Sequence, residues 1–253
     1  MWGRGALIAA GLWLAVDATA AEEIRIAVAA NFSSAAEALT VAFESQTEHE
    51  IGLIFGSTGR HYAQIRNGAP FDIFLAADVL HPRLLEDDDL AISGTRFTYA
   101  RGALVLWSPL EGFVDGRGEV LTDGDYRHLA MANPDLAPYG LAAREVLESL
   151  GLWKQLQTRI VRGENVGQAF QFVASGNAEL GFVALSQITR PGHEIRAGSS
   201  WPVPQKFYVP IDQQAALLTD TAAAREFLEF IRSEAARAII HQFGYTVPAS
   251  DRP

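Results

Sequence analysis

Residues 24–77 read IRIAVAANFSSAAEALTVAFESQTEHEIGLIFGSTGRHYAQIRNGAPFDIFLAA. Ile24, Ile26 and Val28 alternate with polar or small neighbours, the period of a half-buried strand. Ala35, Leu39, Ala42 and Phe43 then recur at helical spacing and predict an amphipathic helix. Ile51 to Phe55 is a second strand-like run, broken by Gly56-Ser57-Thr58-Gly59. A helix through Ile65 follows and stops at Asn67-Gly68, a pair suited to the left-handed end of a helix. Phe71 to Ala77 supplies a third strand. This order is a βαβαβ unit, which folds as a parallel sheet covered by helices.

The theme continues downstream. Ala103 to Trp107 and Leu129 to Ala132 read as strands. Pro138-Tyr139-Gly140 opens a helix with Ala143, Val146, Leu147 and Leu150 on one face, ending at Gly151. Glu164-Asn165-Val166-Gly167 opens another, stopped at Gly176, and Leu180 to Leu185 is a strand. Beyond a proline-rich crossing (Pro202, Pro204, Pro210) come the strand-like Ala215 to Leu218 and two terminal helices. Ala224, Phe227, Leu228 and Ile231 form the stripe of the first of these. The acidic run Glu86 to Asp89 reads most simply as a solvated face.

Composition bounds the function. The chain has 253 residues, 49% hydrophobic and 20% charged, enough for one large domain or two small ones. It contains no cysteine, which excludes disulfides, thiolate metal sites and thiol nucleophiles. A net charge of −10 argues against nucleic acid or an anionic membrane as partner. The same charge means that any anionic ligand must be captured by strictly local forces. Arg4, the apolar run Ala6 to Val16 and the small residues Ala18-Thr19-Ala20 read as a signal peptide over residues 1–20, cut after Ala20 or Ala21. Losing Arg4 and Asp17 together leaves the net charge unchanged. Without a cysteine there is no lipid anchor, so the expectation is a free, exported protein.

Four places put small or polar residues after a strand and at the first turn of a helix. They are Ala30-Asn31-Phe32-Ser33, Gly56-Ser57-Thr58-Gly59, Pro138-Tyr139-Gly140 and Asn165-Val166-Gly167. A helix start carries unpaired N–H groups and partial positive charge, so it suits an anion. Any one of them is most simply a helix cap. Together they point to a small ligand, with an anion among the candidates, and no further. Signs of catalysis are lacking: there is no lysine in the Gly56–Gly59 loop and no G-x-S-x-G elbow. His49, His61, His81, His128, His193 and His241 lack metal-ligand spacing. Asp72 and Asp78 flank one strand, and salt-bridge or capping roles suit them better than a catalytic pair. No catalytic residue is assigned.

At these loops the chain resembles the periplasmic molybdate-binding proteins of ABC transporters. The resemblance rests on Ala29-Ala30-Asn31-Phe32, Gly56-Ser57-Thr58-Gly59, Tyr62-Ala63-Gln64-Ile65 and Gly68-Ala69-Pro70-Phe71. It continues through Gly94-Thr95-Arg96-Phe97-Thr98-Tyr99-Ala100, Ala132-Asn133-Pro134, Ala137-Pro138-Tyr139-Gly140 and Gly176 to Leu185. It implies an α/β type II periplasmic-binding fold: two lobes of mostly parallel sheets flanked by helices, with two crossing strands as hinge. Lobe I would comprise residues 21–99 plus 206–253, and lobe II residues 100–205. It further implies a non-enzymatic, monomeric periplasmic protein that binds molybdate or tungstate and delivers it to an inner-membrane ABC permease, without a cofactor. Another small oxyanion, such as sulfate or phosphate, is the alternative ligand. By position the oxyanion donors are Asn31 with the backbone of Ala30, Thr58 with Ser57 beside it, Tyr139, and the N–H of Val166. No side chain would bind the metal atom directly. A tyrosine that some relatives carry at position 184 is here Ala184, so the hydroxyl would come from Tyr139 instead.

Overall fold

A computed structural model describes residues 22–189, 191 and 195–247; the segment read as a signal peptide lies outside them. Strand β1 (Glu23–Ala29) buries Ile24, Ile26 and Val28 and runs through a 3-10 turn, Ala30–Phe32, into helix α1 (Ser33–Glu44). Ala35, Leu39 and Phe43 of α1 face the core with Ala36, while Ala42 is only half-buried. Strand β2 (Glu50–Gly56) pairs parallel with β1 along its length, Ile24 opposite Ile51 and Ala29 opposite Gly56. Helix α2 (Thr58–Arg66) ends at Gly68, whose φ of 81° needs a residue without Cβ. Strand β3 (Ile73–Leu75) flanks β1 on its other side and is shorter than Phe71 to Ala77. At Asp72 the side-chain carboxylate takes the Arg25 N–H (2.8 Å) while the Asp72 N–H donates to the Arg25 carbonyl (2.8 Å).

Helix α3 (Leu80–Asp87) is capped by Asp78, whose carboxylate accepts from the His81 N–H (3.0 Å) and contacts its Nδ1 (2.7 Å). Asp72 and Asp78 thus have structural partners. In the acidic run, Glu86 is bound to Arg96 (2.5 Å) and accepts the Gly94 N–H (2.6 Å) rather than facing solvent alone. Strand β4 (Phe97–Gly102) follows. After the single residue Ala103 the chain enters a second sheet as β5 (Leu104–Ser108). That lobe continues with α4 (Val120–Asp123), β6 (Leu129–Ala132), α5 (Pro138–Ser149), α6 (Trp153–Leu156) and β7 (Ile160–Gly163). It is completed by α7 (Val166–Ala174), β8 (Leu180–Ala184), α8 (Leu185–Ile188) and β9 (Ser199–Pro202). Residues 203–210 cross back to β10 (Ile211–Leu217), and α9 (Ala222–Arg232) and α10 (Glu234–Gln242) close the first lobe. The first crossing, at Ala103, falls a few residues beyond the boundary drawn at 99/100, and the second, over residues 203–210, spans the boundary drawn at 205/206.

The strand orders are β2-β1-β3-β10-β4 and β7-β6-β8-β5-β9, so the two sheets share one plan. Each is parallel over its first three strands and antiparallel where strands arriving from the other lobe join it. Each sheet is therefore mixed, because a strand entering from the opposite lobe runs against the βαβ strands. Phe43 of α1 meets Phe227 of α9 edge-on at 5.1 Å, sealing one face of the first sheet. Burying such a ring contributes about 1.5–3 kcal/mol. In the second lobe Ala143, Val146 and Leu147 of α5 are buried, but Leu150 is 36% exposed. It lies past the end of the helix, where the chain turns out through Gly151 at φ 73°.

Candidate functional site

The carboxyl ends of β1, β2, β6 and β7 meet at one cavity between the lobes, the usual position of a ligand in open α/β sheets. It encloses about 190 Å³, part of it open to solvent. Lobe I lines it with Ala29 to Asn31, Gly56 to Thr58 and Ala77; lobe II adds Ala137 to Tyr139, Asn165 and Val166. All four helix-start loops contribute, and all six residues assigned from the sequence lie on this lining. Among the described residues no charged side chain does.

Each loop offers a different donor. Ser57 precedes α2 and is 3% exposed, yet its hydroxyl caps nothing and has no hydrogen-bond partner. An unpaired buried hydroxyl costs about 1–3 kcal/mol, so stability does not account for it. Thr58 is also buried; its Oγ1 accepts the Ala77 N–H (2.9 Å), which leaves the hydroxyl proton to be given elsewhere. Tyr139 accepts from Gln213 Nε2 (3.3 Å) and likewise keeps its proton. Burial holds the Tyr139 phenol well above its ordinary pKa of 10.0, so it remains a neutral donor. On α7, the Asn165 side chain accepts the Gln168 N–H (3.0 Å), satisfying the third amide of the helix. The Val166 N–H, two residues earlier at the first position of the helix, has no partner within it.

Asn31 differs from the expectation. Its side-chain Nδ2 is spent on Gln213 Oε1 (2.9 Å) and Tyr245 Oη (3.0 Å), so what it presents to the cavity is its backbone N–H. Ala30 offers only its backbone as well. Beneath the Gly56–Gly59 loop sits His61, 1% exposed, with Nε2 3.2 Å from the Val28 carbonyl and Nδ1 3.1 Å from Gln64 Oε1. A carbonyl only accepts, so Nε2 carries a proton; burial lowers the pKa and disfavours a second, so Gln64 meets the unprotonated Nδ1 with its amide turned to donate.

The lobes touch directly around the cavity. The Gly59 N–H donates to the Leu136 carbonyl (2.9 Å), and a Cβ at position 59 would lie 3.0 Å from that oxygen. Ser186 of α8 donates to the Asn31 carbonyl (2.8 Å). Arg60 pairs with Glu164 at the rim (3.0 Å). These contacts define a closed arrangement.

A family model described as bacterial extracellular solute-binding protein matches residues 24–246, nearly all of the described chain. The chain belongs to the bacterial extracellular solute-binding protein family. Within this solute-binding family it is 46% identical to the molybdate-binding protein ModA of Azotobacter vinelandii, over 94% of this chain and 96% of that one. It is 44% identical to ModA of Rhodobacter capsulatus, over 89% of each. The solved structure of the A. vinelandii periplasmic molybdate-binding protein superposes with a TM-score of 0.87 at 44% identity, covering 89% of this chain and all of that one.

The sequence reading left out the layer of polar side chains behind this cavity. Gln213, Tyr99, Tyr245 and Ser186 are buried behind the cavity and bonded to one another or to Asn31 and Tyr139. Gln213 had a usable signal. In β10, Ile211, Gln213 and Ala215 are buried and alternate with the half-exposed Asp212 and Gln214, so an amide occupies a core position of the strand. Ser186 and Tyr245 carry no comparable mark in the sequence.

Proposed function

We propose that this chain is a periplasmic molybdate-binding protein that captures molybdate, and with it tungstate, and hands it to an inner-membrane ABC importer. The observation that carries this reading is a neutral cavity where four helix starts, two from each lobe, bring unspent donors together. The 44–46% identity to proteins named for molybdate binding supports the choice of ion. A dianion suits donors that carry no charge: helix ends and hydroxyls stabilise it without an ion pair, at about 1.5–3 kcal/mol per hydrogen bond. Ser57, Thr58 and Tyr139 are the hydroxyl donors, and the backbones of Ala30, Asn31 and Val166 supply the amides. Because the donors belong to two lobes, the set is complete only when the lobes close, which makes closure the act of capture. The closed form is then what the permease receives. The protein works by binding alone, without turnover or cofactor, and as a monomer. Residues 1–20 direct export and are removed.

Calorimetric titration of the mature chain with molybdate, tungstate, sulfate and phosphate tests this. Molybdate and tungstate, alike in size and charge, bind with similar affinity. Sulfate is smaller and stretches the hydrogen bonds, and phosphate near neutral pH brings a proton for which a donor-only lining has no acceptor. Each binds weaker by about 10-fold or more. No binding of molybdate, or phosphate bound as tightly, would end the proposal.

A further inference from the structure

The hydrogen bonds that lead from Asn31 through Gln213 to Tyr139 behind the cavity have one direction, set by the atoms that can only accept. The Asn31 carbonyl can only accept, and Tyr245 Oη lies 2.7 Å from it, a separation that requires a proton between the two oxygens. Ser186 Oγ, 2.9 Å from the same hydroxyl, is the other acceptor within reach, and whichever of the two shares the single Tyr245 proton, Tyr245 can only accept from its neighbour at 3.0 Å, which makes that atom Asn31 Nδ2. The other hydrogen of the same nitrogen reaches Gln213 at 2.9 Å, so Gln213 meets it with Oε1. Tyr99 Oη lies 3.1 Å from the same Oε1. Gln213 is left with Nε2 facing Tyr139 Oη, 3.3 Å away. Tyr139 accepts from that nitrogen and has its own proton free for the cavity.

We propose that Gln213, which does not itself line the cavity, is the positioning residue that sets the polarity of the site by holding Tyr139 as a donor toward the anion. The inference rests on the oxyanion-binding reading above. Gln213 has no exposed surface, and it stands on the strand that follows the return crossing, whereas Tyr139 belongs to the opposite lobe. The bond between them therefore joins the lobes as well as orienting the donor. Close packing enforces the geometry: a Cβ on Gly102 would lie 2.7 Å from Gln213 Nε2 and closer still to the Tyr139 hydroxyl. The titratable groups around Gln213 are the phenols of Tyr99, Tyr139 and Tyr245, with Asp78 beyond Tyr99. Burial raises the pKa of all three phenols, so none changes charge in the neutral range.

Gln213→Glu distinguishes a positioning role from a merely structural one. An ionised carboxylate accepts the Tyr139 proton and withdraws it from the cavity. The same carboxyl when protonated is nearly isosteric with the amide and donates to Tyr139 as glutamine does. Molybdate titrations of the mature chain at about pH 8 and about pH 5.5 read the difference, because burial brings a carboxyl's titration into that interval. Wild type binds alike at both. Gln213→Glu binds about 100-fold weaker at the higher pH and recovers at least about 10-fold at the lower one. Wild-type affinity in the variant at high pH, or a loss that acid does not reverse in a folded protein, overturns the proposal. Should Gln213→Glu not fold, a cycle of Gln213→Met and Tyr139→Phe decides. On wild type, Gln213→Met weakens binding about 10-fold; on Tyr139→Phe it changes affinity by less than about threefold. Additive losses overturn the proposal. A wild-type chain that ignores molybdate removes the functional reading and this inference with it, whereas intact wild-type binding with a failed variant pattern removes the inference alone.

Discussion

Ser57 and Thr58 are adjacent, both buried and both at the same helix start, yet replacing them should affect the empty protein in opposite ways. Thr58→Val keeps the shape and removes the acceptor of the Ala77 N–H, which lies 2.9 Å from Oγ1. Ala77 is 1% exposed, so the orphaned amide has no route to water. Leaving such a group unpaired costs about 1–3 kcal/mol. For a chain of this length 1 kcal/mol shifts the melting temperature by about 2–4 °C, so the empty variant should melt about 2–12 °C lower. Ser57→Ala removes a hydroxyl that has no partner, so the empty protein should melt unchanged or slightly higher. Both variants lose one donor to the anion, and both should bind molybdate about 10- to 100-fold more weakly. Thermal melts of ligand-free protein and calorimetric titrations with molybdate give the two readouts. If Thr58→Val melts like wild type, the Ala77 bond is not what holds that turn. If Ser57→Ala keeps wild-type affinity, its unpaired hydroxyl is not a ligand donor and the assignment of the loop fails.

Further outcomes follow from the packing around the cavity. Gly102→Ala places a methyl group on the Tyr139 hydroxyl, and should reduce molybdate affinity at least about 10-fold while preserving the far-ultraviolet circular dichroism; unchanged affinity would show that the phenol is free to move. Burial lowers the pKa of His61 below its ordinary 6.5, so the unfolded chain binds that proton more tightly than the folded one. The stability contributed by the neutral ring is complete above pH 6.5 and is lost as the pH falls below that value toward the folded pKa. Urea midpoints across that window should therefore decline in wild type and stay flatter in His61→Gln, and parallel declines would exclude His61 as the cause. Arg60 and Glu164 are 58% and 64% exposed, so their pair is well screened. Glu164→Gln should change affinity by less than about threefold, and a loss above 10-fold in the titration would mean that closure depends on the rim pair.

Much of the scaffold was legible because its signals are local. Glycines at 68, 151 and 176 stop helices at positive φ, and the alternation in β1 matches its buried face. The four loops that line the cavity were legible for the same reason, since a strand end followed by small residues and a helix is a short-range pattern. What escaped depends on chain segments far apart. The antiparallel halves of both sheets arise from strands that cross between lobes, and no local period records a crossing. Asn31 illustrates the limit at the level of one side chain. As a polar residue at a helix start it read as a donor to the ligand, but its amide is claimed by Gln213 and Tyr245, 182 and 214 residues later. Thr58 stood out as a polar residue at a helix start, whereas its bond to a backbone amide 19 residues on was not legible.

The acidity of the chain and the neutrality of its cavity are two parts of one design. With a net charge of −10, the surface as a whole repels an anion, and no lining side chain offsets that with a cation. Attraction is therefore confined to hydrogen-bond range, where aligned amides and hydroxyls act through a short distance and lose their effect beyond the first turn of each helix. A cation in the cleft would attract any anion from afar, in the open form as much as in the closed one. Neutral donors split between two lobes act differently: each half alone is a weak seat, and the pair becomes strong only on closure. On this reading the Gln213–Tyr139 bond matters beyond its own strength, because it spans the lobes and aims a donor in the same step. Capture and closure are then one event, and the release of the anion needs only the lobes to part.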